Sequence, residues 1–175
     1  PAYVQECRNL VRSLGLEEQV RFLGFQKVED LMPQIGLVVL SSISEALPLV
    51  LLEGYAAGVP AVSTDVGSCR QLVYGLDAED QALGASGAVV PIAQPQQLAD
   101  AALALLGDPA AWQAASGQSL LQSARAPFGV MPQAHLHDRM LAQGAGLARD
   151  TAICLHESLP GSELVASTQQ RFEHG

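Results

Sequence analysis

The chain is predicted to fold as an α/β domain, a parallel sheet flanked by helices. Two observations predict it. Helical patterns and short apolar runs alternate four times between Tyr3 and Ala115, the order that a parallel sheet with crossover helices produces. Those runs are continuously apolar rather than alternating, as in strands covered on both faces. The composition agrees, with 49% hydrophobic, 5% aromatic and 15% charged residues, a profile too apolar for a disordered chain. A length of 175 residues suits one domain of ordinary size.

The elements follow in order. Tyr3 to Leu14 carries apolar residues at Val4, Cys7, Leu10, Val11 and Leu14, the stripe of an amphipathic helix, and Gly15 ends it. Val20 to Leu23 reads as a short strand closed by Gly24, and Glu29 to Gln34 as a short helix with Leu31 and Met32 inward. The apolar strand Leu37 to Leu40 comes next. Pro48 is expected in the first turn of a helix from Leu49 to Ala57, where its missing N–H has no intrahelical partner. Gly58 supplies a left-handed terminator, Pro60 forbids continuation, and Ala61 to Thr64 reads as a buried strand. Val66-Gly67-Ser68 forms a turn before a short helix around Arg70 to Val73. Gly84 to Gly87 marks another turn, ahead of a strand from Ala88 to Pro91. Pro95 opens a helix through Leu106 with Leu98, Ala102 and Leu105 inward, and Pro109 starts one through about Ala115. Residues 1–115 are therefore taken as the domain. Residues 116–175, rich in Ser, Gln, Gly, Ala and His, are taken as an irregular or partly helical tail, with helical hints only at Asp138 to Ala142 and Leu164 to Phe172.

Several function classes are disfavoured. A formal net charge of −9 and a single lysine, Lys27, argue against a nucleic-acid or anionic-membrane surface. Three widely spaced cysteines, Cys7, Cys69 and Cys154, fit no metal pattern and read as free thiols of a reducing compartment, hence a cytoplasmic location. His135, His137 and His156 read as solvated, and the His135-Leu136-His137 spacing lacks a third placed ligand, so no metal site is expected. No apolar run approaches the ~20 residues of a membrane span. The opening on Pro1 and the change of character after Ser116 lead us to expect a piece of a larger protein, truncated or frame-shifted.

The functional signal lies in Ser41 to Asp65, SSISEALPLVLLEGYAAGVPAVSTD. Glu45 stands in the loop before a helix and Glu53 on it, with an uncharged segment between. A helix N-terminus offers unpaired N–H groups and partial positive charge, so the amides around Leu49 and Val50 suit a phosphate. Glu45 at that end can accept hydrogen bonds from the hydroxyls of a group attached to the phosphate. Glu53, about 6 Å further along at ~1.5 Å per residue, can take a second polyol such as a ribose. The plain alternative makes Glu45 a dipole-complementing carboxylate and Glu53 a solvated helix residue. The loops after Leu40 and after Thr64 both leave the carboxyl ends of strands, the edge where such sheets bind ligands.

These residues resemble the C-terminal, nucleotide-binding domain of GT-B-fold, family-4 retaining glycosyltransferases. Glu45-x7-Glu53 followed by Gly54-Tyr55-Ala56-Ala57-Gly58-Val59-Pro60 looks like that family's glutamate pair and AAG-x-P turn. VRFLGF at Val20 to Phe25, STDVGSCRQLV at Ser63 to Val73 and GAVVPIAQPQQLADAALALLGDP at Gly87 to Pro109 extend the resemblance over residues 1–115. The wording of SSISEALPLVLLEG and TDVGSCRQLV is closer still to PelF-type glycosyltransferases of the Pel exopolysaccharide system. The resemblance implies a Rossmann-like half of a GT-B fold and a nucleotide-sugar co-substrate, a UDP-sugar by the Pel likeness, with no cofactor and no metal. It implies that Glu45, the catalytic-site position, contacts the donor sugar's hydroxyls as a binding residue. Backbone amides of Leu47, Pro48, Leu49 and Val50 (proline excepted as a donor) would line the sugar and diphosphate. Glu53 would bind the ribose, with Gly67 and Ser68 near the donor. Implied partners are an N-terminal Rossmann domain that carries the acceptor site and membrane-bound polysaccharide-synthesis proteins. Arg70-Gln71 stands where the family commonly has a glutamate, so no carboxylate role is assigned there. Two other readings are weighed: a GT-B-type sugar-nucleotide epimerase, and a non-catalytic α/β partner-binding module.

Overall fold

The computed structural model describes residues 2–125 and 152–156. The elements are α1 (Ala2–Ser13), α2 (Val28–Leu31) running into a 3-10 turn (Met32–Gln34), β1 (Ile35–Leu40), α3 (Leu49–Ala56), β2 (Ala61–Thr64), α4 (Cys69–Tyr74), α5 (Ala78–Ala82), β3 (Gly87–Val90), α6 (Pro95–Gly107), α7 (Pro109–Arg125) and β4 (Ala152–His156). The strands make one four-stranded sheet in the order β3-β2-β1-β4, and every pairing is parallel. The fold is thus the expected α/β, Rossmann-like arrangement.

Both faces of β1 are covered, which explains its unbroken apolar run. Val38 and Leu40 join a cluster with Leu51 and Tyr55 of α3, Val59, Ala61, Val66 and Cys69. Leu37 and Val39 point the other way, packing with Val62 and with Ala102, Leu98 and Leu105 of α6, the inward face anticipated for that helix. Ile35 falls in the α3 cluster although strict alternation would put it beside Leu37. The register shifts between Ile35 and Leu37, and a bulge of this kind moves a side chain to the opposite face.

Helix α3 is apolar nearly all round and buries Val50, Leu51, Leu52, Gly54, Tyr55 and Ala56, as expected of a helix enclosed by the fold. It stops as anticipated: Gly58 adopts φ 74°, and the Val59 amide donates to the Gly54 carbonyl at 2.8 Å. Its start differs. Pro48 is not within the first turn but at the N-cap, with φ −77° and ψ 100°, still a position that needs no amide donor.

Helix α1 forms as expected, with Val4, Cys7 and Val11 of its apolar stripe half-buried and Leu10 and Leu14 exposed. Three other expectations are corrected. Val20 to Leu23 forms no strand; Phe22 and Leu23 are exposed, and no described strand lies alongside to pair with them. Helix α7 continues past Ala115 to Arg125, and Ser116, Ser119 and Ser123 on that extension are buried. Residues 152–156, within the stretch taken as tail, form β4 beside β1. The helical hints at Asp138 to Ala142 and Leu164 to Phe172, and His135 and His137, lie outside the described residues. Helix α5 was also not anticipated; Asp77 caps it, its Oδ1 accepting from the amides of Glu79 and Asp80 at 2.9 Å each.

Candidate functional site

Strands β1 and β2 run in register from Val38 opposite Ala61 to Leu40 opposite Ser63. Their carboxyl ends therefore release two loops side by side, 41–48 and 65–68. The loops are sewn together. The Ser68 amide donates to the Ala46 carbonyl at 3.1 Å, and the Ser68 hydroxyl donates to the same oxygen at 3.2 Å. Gly67 adopts φ 49°, and a methyl group placed on it would fall 2.5 Å from the Ala46 carbonyl oxygen and closer still to that of Glu45. Only glycine fits, both in backbone conformation and in space.

Deeper down, the Thr64 hydroxyl donates to the Ser42 carbonyl at 2.5 Å, and the Ser63 hydroxyl donates to the Thr64 carbonyl at 2.9 Å. The Ser42 hydroxyl donates to Oε1 of Glu45 at 2.9 Å. Ser42 and Ser63 are fully buried, and Thr64 nearly so. Glu45 itself is half-buried.

The anticipated site residues thus separate into groups. Glu45, Gly67 and Ser68 come together at one edge of the sheet. Leu47 and Leu49 are half-buried, whereas the side chains of Pro48 and Val50 are buried, so these last two can offer a ligand only backbone. The Leu51 amide closes the first turn of α3 onto the Pro48 carbonyl at 3.1 Å. No side chain caps this N-terminus, which leaves the leading amides of α3 the polar feature of that end. Glu53 lies four residues into α3 and is half-buried.

Sequence reasoning missed Ser42 and Thr64. The signal was the spacing Ser42-x-x-Glu45, the pattern of a capping box; here no helix starts at Ser42 and the hydroxyl turns to the carboxylate instead. It also missed the pair beside the turn. Arg70 Nη2 lies 2.6 Å from Asp65 Oδ2, Arg70 Nε donates to the same oxygen at 3.2 Å, and the guanidinium sits over the Tyr74 ring, 5.8 Å from its centroid. Asp65 raises the affinity of Arg70 for its proton. Cys69, beneath the turn, has its thiol pushed up by burial, with the carboxylates of Glu45 and Asp65 adding to the effect against hydrogen bonds from Ser63 and Val66. It is not an activated nucleophile. No group of three or more metal-ligating side chains occurs among the described residues, and no helix among them is long and apolar enough to cross a membrane.

Comparison with known proteins agrees with this geometry. The chain is 42% identical over 111 residues to the exopolysaccharide phosphotransferase SCO2592 of Streptomyces coelicolor, an overlap of 61% of this chain and 11% of that protein. It is 35% identical over 100 residues to the N-acetyl-alpha-D-glucosaminyl L-malate synthase of Bacillus anthracis, covering 57% of this chain and 24% of that one. Among solved structures, Anabaena Alr3699/HepE in complex with UDP and glucose superposes with a TM-score of 0.61 at 26% identity, over 81% of this chain and 36% of that one. The chain therefore spans a quarter or less of these two relatives. Residues 1–108 match the family described as Glycosyl transferases group 1, and with its parallel sheet, its glutamate-bearing helix and its glycine turn the chain belongs to that family.

Proposed function

We propose that this chain is the donor-binding half of a retaining glycosyltransferase that uses a UDP-sugar in cytoplasmic exopolysaccharide synthesis. One observation carries the reading: the Gly67 turn lies directly on the backbone of Glu45 and Ala46, next to the uncapped N-terminus of α3. A carboxylate, a glycine turn and a set of amides thus converge at the carboxyl edge of the sheet. The amides of Leu47, Leu49 and Val50 suit a diphosphate, Glu45 the hydroxyls of the sugar, and Glu53 a ribose. In a retaining transfer the bond between the anomeric carbon and the diphosphate breaks, and a bond to an acceptor oxygen forms on the same face. The acceptor's proton leaves with the diphosphate, whose growing charge the helix amides stabilise. This reading needs no metal or cofactor.

Support for UDP comes from HepE, which was solved with UDP and glucose. Support for exopolysaccharide comes from the name of the Streptomyces relative and from the PelF-like wording of SSISEALPLVLLEG and TDVGSCRQLV. An N-terminal Rossmann domain for the acceptor and membrane-bound synthesis proteins complete the proposed assembly.

Calorimetry with UDP tests it. The chain is expected to bind UDP, and Glu53→Ala to weaken that binding about tenfold, the loss of charge-assisted hydrogen bonds to a ribose. Equal affinities for the two proteins would remove Glu53 from the ribose role, and no binding by the parent would overturn the reading.

A further inference from the structure

We infer that Ser42 is the positioning residue for Glu45, holding its carboxylate in the orientation that meets the sugar half of the donor; the part about the sugar rests on the proposed function. Ser42 is wholly buried, two residues beyond the end of β1, yet its hydroxyl donates to a half-buried carboxylate at 2.9 Å. The residue is itself fixed from behind. The Thr64 hydroxyl, at the end of β2, donates to the Ser42 carbonyl at 2.5 Å and approaches the Leu40 carbonyl at 3.4 Å. A hydrogen-bonded line therefore runs from the rigid sheet through Thr64 and Ser42 to Glu45.

The geometry also divides the labour of the carboxylate. Oε1 accepts from Ser42, whereas Oε2 accepts no hydrogen bond among the described residues, so Oε2 is the oxygen offered to a ligand hydroxyl. A glutamate in a loop samples many rotamers, and each must be given up on binding. Anchoring one oxygen to a buried donor restricts them beforehand, which is how a supporting hydroxyl raises affinity without touching the ligand. Were Ser42 merely filling space under the loop, its removal would weaken every ligand of the site alike.

The test compares UDP with UDP-glucose by calorimetry on the parent, Ser42→Ala, Glu45→Ala and the double variant, and follows the glutamate carboxylate carbons by NMR in ligand-free, glutamate-labelled protein. In Ser42→Ala the ratio of UDP-glucose to UDP affinity is expected to fall about tenfold. In the Glu45→Ala background the serine substitution should leave that ratio as it stands. The Glu45 carboxylate resonance should move in Ser42→Ala while that of Glu53 stays. An equal loss for both ligands, a serine effect that persists without Glu45, or an unmoved Glu45 resonance would overturn the inference. Failure of the parent to bind either ligand would sink the donor reading alone, and the NMR comparison would still decide whether Ser42 sets Glu45. If alanine unfolds the chain, Ser42→Cys, close in size with a weak donor, carries the same comparison.

Discussion

Gly67 packs onto the carbonyl groups of Glu45 and Ala46, so the turn after β2 and the loop after β1 form one surface. The contact is backbone against backbone, and no rotamer change can relieve an added side chain. Gly67→Ala combines a left-handed φ of 49° with that clash, and strain of this kind costs about 1–3 kcal/mol. The expected outcome is a lower urea midpoint and a loss of UDP affinity larger than the loss of stability explains, because the loop holding Glu45 must move. Chemical denaturation and calorimetry on the same preparation check it; unchanged binding would separate the turn from the site.

A contrasting glycine lies within α3. A methyl group on Gly54 would meet Val38 Cγ2 at 3.1 Å and the Val59 carbonyl oxygen at 3.5 Å. The nearest neighbour here is a side chain, so the helix can yield by a few tenths of an ångström. Gly54→Ala is expected to cost about 1 kcal/mol from overpacking, partly offset by better helix propensity, and to leave UDP binding intact. A UDP affinity that fell as far as in Gly67→Ala would show α3 and the site to be more tightly coupled than the packing indicates.

Much of this arrangement is readable in the sequence where local chemistry decides. Gly58 and Pro60 ended α3 for steric reasons that no tertiary contact alters, and the α6 stripe of Leu98, Ala102 and Leu105 faced the sheet as its spacing required. What failed depended on partners. Val20 to Leu23 has the composition of a strand, but a strand exists only beside another. The segment 116–125 looked too polar for a packed helix. Its serines are buried because they are small and find carbonyl partners: the Ser116 hydroxyl reaches across to the Gly58 carbonyl after α3 at 2.7 Å, and that of Ser119 bonds back to the Ala115 carbonyl of its own helix at 2.9 Å. For the site, Glu45, Gly67 and Ser68 followed from strand order, whereas Ser42 and Thr64 looked like ordinary loop and strand hydroxyls until their depth was known.

Cys69 offers a readout of that depth. It is fully buried and its thiol is raised by burial, so little thiolate exists at neutral pH. Cys7 on α1 is half-buried. Thiol labelling at pH 7.5, mapped by mass spectrometry, is expected to modify Cys7 well before Cys69. The Cys69 rate should rise with pH, or with urea as the core opens. Rapid labelling of Cys69 under native conditions would contradict the packing of the turn against β2.

The phenol of Tyr55 predicts a pH dependence. Its hydroxyl is buried without a well-formed hydrogen bond, beside Ser86, whose own hydroxyl donates to the Val73 carbonyl at 3.2 Å. Burial raises its pKa well above the ordinary value. The folded state thus keeps this proton where the unfolded chain, at about pH 10, begins to lose it. Protons are then held more tightly by the folded form, and the stability this group contributes is present below about pH 10 and declines as the pH rises above it. Tyr55→Phe removes both the titration and the unpaired hydroxyl. At pH 8 the variant should be as stable as the parent or up to about 1 kcal/mol more so, and its advantage should grow at pH 10.5. Urea unfolding followed by circular dichroism at the two pH values gives the comparison; a variant that is clearly less stable at pH 8 would mean that the hydroxyl has a partner worth more than its burial costs.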